Sequence, residues 1–298
     1  MPLKTIGLLS PGDMGHTVGQ VLVTHGLRVL TCLKGRSERT RLLAEKAGIT
    51  DVPSYEALVR ESEIILSILV PAQAKQAAGD VAIALAKTRN ELVYADCNAI
   101  SPKTVCEVGQ IIDEAGGRFV DASIIGPPPT KEGSTRFYAS GSAACVFEGL
   151  NQYGLDVRAV GEQVGRASAL KMCYAALTKG LTALSAELLT AAQVMGVSET
   201  LRSEFQLSQP ALYKRMESGM PWMPERSRRW VGEMEEIAAT FDHCGLTPKI
   251  FEGAADIYRF VGRTSLADQT PENRDPTLNL EKIISIFADS LNKKSSKQ

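Results

Sequence analysis

The sequence is poor in the residues that build most metal centres. Its 298 residues include three histidines, His16, His25 and His243, too few and too scattered for a His-based metal site. The six cysteines, Cys32, Cys97, Cys106, Cys145, Cys173 and Cys244, contain no Cys-x-x-Cys pair, and several fall in apolar or helical stretches where a thiol acts as a small hydrophobe. That usage predicts reduced thiols in a cytoplasmic protein rather than a disulfide framework. Neither sign of charge is in excess: 33 Lys and Arg against 34 Asp and Glu leave a formal net charge of -1, which argues against a general nucleic-acid binder. Long apolar runs are missing as well. The apolar helix expected after Gly165 carries Lys171, Lys179 and Glu187, so no membrane span is expected. The opening MPLKTIGLL lacks the pattern of a signal peptide. What is present is 44% hydrophobic residues, enough for a sizeable core in a metal-free globular protein of two parts.

The first half alternates short apolar runs with helical patterns. Strands are predicted at Lys4 to Leu9, Arg28 to Leu33, Ile49 to Val52, Glu63 to Leu69, Leu92 to Asp96 and Arg118 to Ala122. Gly26 is placed to end the first helix, Ser54 to cap a later one, and Ser101-Pro102 to start another. Six strands alternating with helices predict an α/β fold, a doubly wound, mostly parallel sheet of the Rossmann type. From Ser134 the segments STRFYASG, AACVFEG and DVRAVG read as short strands that extend the sheet at its edge. After Gly165 the pattern is almost wholly helical: Ala167 to Val194, Ser198 to Glu217, Glu225 to Cys244 and Pro248 to Val261, with a loop near Met220 to Pro224 and a polar, fraying tail NKKSSKQ. The domain boundary is predicted near Val164, giving a nucleotide-binding domain over 1–164 and an all-α domain over 165–298.

The first strand runs into Ser10-Pro11-Gly12-Asp13-Met14-Gly15. A dinucleotide fingerprint reads G-x-G-x-x-G here; Ser10 replaces the first glycine, while Gly12 and Gly15 keep the positions that admit a pyrophosphate and pack helix against strand. The serine is expected to make the turn without the positive φ open to glycine. A two-glycine turn alone also fits an ordinary strand-to-helix connection; its place after the first strand of the alternation favours the nucleotide. The second strand ends in Leu33-Lys34-Gly35-Arg36-Ser37, with Arg39 and Arg41 beyond and Glu38 as the nearest acid. Two or three cations and a hydroxyl suit a 2′-phosphate, so Lys34, Arg36, Arg39 and Ser37 point to NADP over NAD. A solvated basic helix start is the alternative.

Gly165-Arg166-Ala167-Ser168-Ala169-Leu170-Lys171 opens the helical half. Lys171 sits among apolar neighbours, where desolvation would tune it for proton transfer. Lys179 falls on roughly the same face two turns on. A lysine in an Ala-rich helix is by itself most often a surface residue.

IGLLSPGDMG, VPAQA, ADCNAISP, VDASIIG and GRASALKMCYA occur in this order, and together the chain resembles the β-hydroxyacid dehydrogenase family, which includes 3-hydroxyisobutyrate and 6-phosphogluconate dehydrogenases. The stretch ERSRRWVGEMEEIAATF is similar to the C-terminal domain of phosphogluconate dehydrogenase-like proteins. The resemblance implies an active cleft between a Rossmann domain and a helical domain that also dimerises. It matches Gly12, Met14 and Gly15 to the cofactor loop, Val70 and Pro71 to the turn on the nicotinamide side, Asn98 to a segment contacting cofactor and substrate, and Lys171 to the catalytic lysine. Two departures stand out. Relatives carry Ser-Gly-Gly where this chain has Ile125-Gly126-Pro127, with Ser123 as a candidate substitute, and Asn where it has Ala175, beside Tyr174.

The expectation is an NADP-dependent oxidoreductase working on a small carbonyl or alcohol. Lys171 serves as general acid/base, Asn98 and Ser123 orient the substrate, and Tyr174 assists. Reduction of C=N bonds is the alternative within enzymes, and a non-catalytic NADP-binding sensor the alternative outside them. A homodimer through the helical domain is the expected assembly.

Overall fold

The computed structural model describes residues 2–131 and 133–295. The last three residues of the polar tail lie outside the described residues. The chain divides into two compact units, Met1–Met172 and Cys173–Gln298. The division falls eight residues beyond Val164, because the first turns of the long helix are bonded into the first unit.

The first unit is an eight-stranded sheet in the order β3-β2-β1-β4-β5-β6-β7-β8. Its strands are β1 (Thr5–Leu9), β2 (Arg28–Thr31), β3 (Thr50–Asp51), β4 (Ile64–Ser67), β5 (Val93–Asp96), β6 (Arg118–Ile125), β7 (Arg136–Ser140) and β8 (Val157–Ala159). The first six are parallel, β7 runs antiparallel to β6, and β8 is parallel to β7. Between them lie α1 (Gly15–Thr24), α2 (Glu38–Lys46), α3 (Tyr55–Glu61), α4 (Ala74–Thr88), α5 (Pro102–Glu114) and α6 (Ala144–Glu148). Alternate residues of one strand serve opposite cores: Ile64 and Leu66 of β4 pack with Val18 and Leu22 of α1, whereas Ile65 packs with Val81 of α4 and Val105 of α5. The caps follow the sequence. Ser54 and Ser101 accept from Ala57 N and Thr104 N at 3.2 and 3.1 Å, and Gly26 leaves α1 at φ +90°.

Three segments differ from expectation. AACVFEG holds the helix α6, not a strand. Gly141 turns the chain at φ +111°, Ala144 N donates to Gly141 O, and Phe147 is buried edge-on to Phe137. β6 extends three residues past Ala122, its added length paired with β7. The helix expected over Ser198 to Glu217 is two helices, α8 (Ser198–Ser208) and α9 (Pro210–Gly219). Pro210 has no N–H to continue the ladder and holds Gln209 out of helical geometry at φ −138°, ψ 48°.

The helix α7 (Arg166–Val194) begins in the first unit and continues into the second. The second unit adds α8, α9, α10 (Pro224–His243), α11 (Lys249–Val261) and α12 (Leu280–Ser295). The predicted loop near Met220 is a single 3₁₀ turn over Met220–Trp222. Inside this unit Lys179 forms a nearly buried ion pair with Glu233, approaches the Trp230 ring at 5.5 Å, and accepts at its backbone carbonyl from the Tyr258 hydroxyl at 2.7 Å. Lys179 therefore serves the core of the helical unit. Among the described residues no helix is long and apolar enough to cross a membrane.

Candidate active site

The glycine turn is tighter than its sequence suggests. Ser10 takes φ +59°, contrary to the expectation that a serine would avoid the left-handed region. The turn imposes it: Gly12 N donates to Ser10 O at 2.7 Å, and a Cβ on Gly15 would lie 2.6 Å from that same oxygen. Gly15 is thus required by the close approach of α1 to the turn. A Cβ on Gly12 would meet nothing within 4 Å, so its missing side chain leaves open space at the start of α1. Space beside the first-turn amides of a helix is what a pyrophosphate needs, and the residues present fit a dinucleotide. Met14 stands just before α1 and packs against the adjoining core.

The basic cluster is more differentiated than the sequence implied. Lys34 is exposed and Gly35 turns the chain at φ +75°. Arg36 is half-buried beside Tyr55, whose phenol pKa is raised because burial outweighs the pull of the Arg36 charge. Ser37 caps α2, accepting from Thr40 N at 3.3 Å. Arg39 does not stand with Lys34 and Arg36 as an uncommitted cation: its Nη2 donates to Asp13 Oδ1 at 2.5 Å, tying α2 to the glycine turn. Arg41 ties the strand end from below, donating to Leu33 O at 2.6 Å. Tyr55 was missed by sequence reasoning; a tyrosine opening the helix after β3 carries no signal of its own.

Val70 and Pro71 follow β4, with Val70 exposed and Pro71 starting a 3₁₀ turn. Asn98 is 2% exposed, and its side chain is committed to the protein. Its Nδ2 donates to Asp96 Oδ2 and Ser67 Oγ at 2.9 and 3.0 Å, and its Oδ1 accepts from Leu69 N at 2.5 Å. Ser123 is fully buried and donates to Ala167 O at 2.6 Å. Each of these two side chains, expected to orient the substrate, is held by partners inside the protein and joins two of its backbone segments. Ile125, at the position of the relatives' serine, is buried at the end of β6.

Lys171 is held at the same end of β6. Its Nζ donates to Ile124 O at 2.5 Å from the second turn of α7. The start of that helix is fixed by Asp121, a residue sequence reasoning did not single out. Asp121 Oδ2 accepts from Gly165 N, Ala167 N, Ser168 N and Ser140 Oγ, and Oδ1 accepts from Ser168 Oγ at 2.7 Å. A carboxylate at a helix N-terminus satisfies orphan amides and complements the dipole. Its one sequence signal is a charge inside the apolar run FVDASII. Asp121, Ser123 and Ile124 thus secure the lysine's helix at three points along one strand. Tyr174 lies one turn beyond Lys171 on α7 and is 48% exposed.

A mostly parallel sheet with an open glycine turn after β1, a cation-bearing turn after β2 and a lysine fixed at the carboxyl end of β6 defines a dinucleotide-binding protein of the Rossmann class. The comparisons agree. Residues 5–152 match the model of the NAD binding domain of 6-phosphogluconate dehydrogenase, and residues 192–261 match a domain of unknown function, DUF1932. An uncharacterized 28.5 kDa protein from the 7S RNA 5′ region of Methanothermus fervidus is 34% identical over 196 residues, 66% of this chain and 74% of that protein. The solved structure of MTH1747, a conserved protein of unknown function described as similar to 3-hydroxyacid dehydrogenases, is 30% identical, with 86% of this chain and 97% of that one covered at a TM-score of 0.64. The 3-hydroxyisobutyrate dehydrogenase of Mycobacterium tuberculosis, solved with L-serine, shares the fold at a TM-score of 0.67, with 18% identity over 95% of this chain and 98% of that one. The chain belongs to the family of 6-phosphogluconate and 3-hydroxyacid dehydrogenase-like proteins. This family places it among NAD(P)-dependent oxidoreductases.

Proposed function

We propose that the protein is an NADP-dependent dehydrogenase or reductase of a small carbonyl or alcohol substrate, with Lys171 as general acid/base. The observation that carries this reading is the Lys171 ammonium seated on Ile124 O at the carboxyl end of β6, the edge of an open α/β sheet where ligands bind. Gly12 and Gly15 would hold the pyrophosphate, Lys34 and Arg36 the 2′-phosphate, and Val70 with Pro71 the nicotinamide side. The cofactor, when bound, supplies or accepts the hydride. Lys171 gives a proton to the carbonyl oxygen in reduction and takes it back in oxidation. Buried Ile125 offers no hydroxyl for a substrate carboxylate, which favours a less acidic substrate than the usual small hydroxyacid.

NADPH turnover over a panel of 3-oxo acids, neutral ketones and cyclic imines tests the reading. Carbonyl turnover lost in Lys171→Ala supports it. Turnover confined to imines transfers the chemistry to C=N bonds, and NADPH binding without turnover on any compound makes the chain a sensor. A homodimer and a cytoplasmic location belong to the same proposal. The dimer is favoured by the exposed apolar residues Tyr174, Leu177 and Leu184 on α7, and the solution mass of wild type against Leu177→Glu decides it.

A further inference from the structure

Asp96 and Asp121 lie opposite one another in the β5–β6 register, and both are fully buried. Among the described residues neither is paired with a lysine or arginine. Asp121 has the start of α7 and two serine hydroxyls to answer its charge. Asp96 has one residue. Asn98 N donates to its Oδ1 and Asn98 Nδ2 to its Oδ2, both at 2.9 Å.

An asparagine amide has one donating and one accepting end. While Asp96 is ionised, it takes the donating end, so Oδ1 must face the other way and accepts from Leu69 N. Leu69 is the residue before Val70 and Pro71. A proton on Asp96 makes the carboxyl neutral, weakens its hold on the Asn98 Nδ2, and gives it one O–H to donate. Rotating the amide satisfies that O–H, because it brings Oδ1 to Asp96 and turns the NH₂ onto Leu69 N. Two donors then confront each other and the loop loses its tie.

We propose that Asp96, acting through Asn98, positions the 69–71 loop for the nicotinamide cofactor, and does so only as the carboxylate. Burial pushes the Asp96 carboxyl up to about 7, with the charge of Asp121 adding and the two Asn98 donors opposing. The other groups facing it do not titrate near neutrality. Ser67 comes from β4; Tyr94, on its own strand, and Cys97, just after that strand, are both pushed well above their ordinary values by burial. The inference rests on the cofactor reading above only for what the loop touches.

Two measurements test it. The first needs no cofactor: the hydrogen-exchange protection factor of the Leu69 amide between pH 5.5 and 8.5. In wild type it should fall as pH drops through about 7, and in Asp96→Asn it should be low throughout. The second is the dissociation constant of NADPH divided by that of 2′-phospho-ADP-ribose, which carries the same phosphate but no nicotinamide. That ratio should rise below about pH 7 by up to about tenfold per pH unit, the limit for one coupled proton, and the rise should vanish in Asp96→Asn. Wild-type protection and pH profile in Asp96→Asn overturn the proposal. If Asp96→Asn does not fold, Asn98→Ser cuts the link to Leu69 instead: low, pH-independent protection supports the proposal and a retained pH dependence overturns it. If wild type binds neither ligand, the cofactor reading fails, while the exchange data alone still decide whether Asp96 controls the loop.

Discussion

Lys171 donates to the carbonyl of Ile124, three residues beyond the Asp121 that anchors the lysine's own helix. One strand therefore holds both the Lys171 ammonium and the base of the helix that carries it. Lys171→Ala should lower turnover by about 10²- to 10⁴-fold, the usual worth of a positioned acid/base. NADPH affinity should stay within a factor of about two, because the ammonium lies on β6 and the residues proposed to bind the phosphates follow β1 and β2. Steady-state kinetics beside a fluorescence titration separates the two.

Asp121→Ala should act on stability first. It strips the partner from three amides and two hydroxyls inside the protein, a loss of about 3 kcal/mol. Chemical denaturation measures it, and a neutral result would mean that water replaces the carboxylate there.

Ser10→Gly and Gly15→Ala should move in opposite directions. The serine stores left-handed strain that glycine relieves, a gain of at most about 1 kcal/mol after the added freedom of the unfolded chain. The alanine forces a Cβ against the Ser10 carbonyl and should cost about 2 kcal/mol. Thermal melting of the two variants reads both signs.

Arg36→Ala should weaken NADPH binding at least about tenfold and leave NADH unchanged, since one charge-assisted contact to a phosphate is worth about 1.5–3 kcal/mol. Equal weakening of both cofactors would place Arg36 away from the 2′-phosphate.

Stability should also carry the mark of Asp96. Its folded pKa, about 7, exceeds the unfolded value, so the folded state holds a proton that the unfolded state has already released. Wild type should lose stability as pH rises from about 4 to 7 and level off above, by about 4 kcal/mol if the full displacement is realised. Asp96→Asn should lack that slope. Urea midpoints at pH 5 and 8 check it.

The alternation of strands and helices, the turn at Gly12 and Gly15, the serine caps and the lysine near the start of α7 could all be read from the sequence. Each depends on neighbours within a few residues, or on a period that local geometry enforces. The chain alone also showed that the usual serine after β6 is absent. What it could not show is how polar side chains are spent. Asn98 and Ser123 read as substrate ligands, and the fold gives each an internal partner, Leu69 N and Ala167 O, 29 and 44 residues away in sequence. Arg39 read as one of the cations near a phosphate, and the fold brings Asp13 against it. The positive φ of Ser10 came from a helix start packing onto its carbonyl, and α6 from a glycine turn. A hydrogen bond depends on which donor and acceptor meet once water is excluded. Composition and spacing determine which groups exist, and only the tertiary structure decides which of them are paired, and so which remain for chemistry.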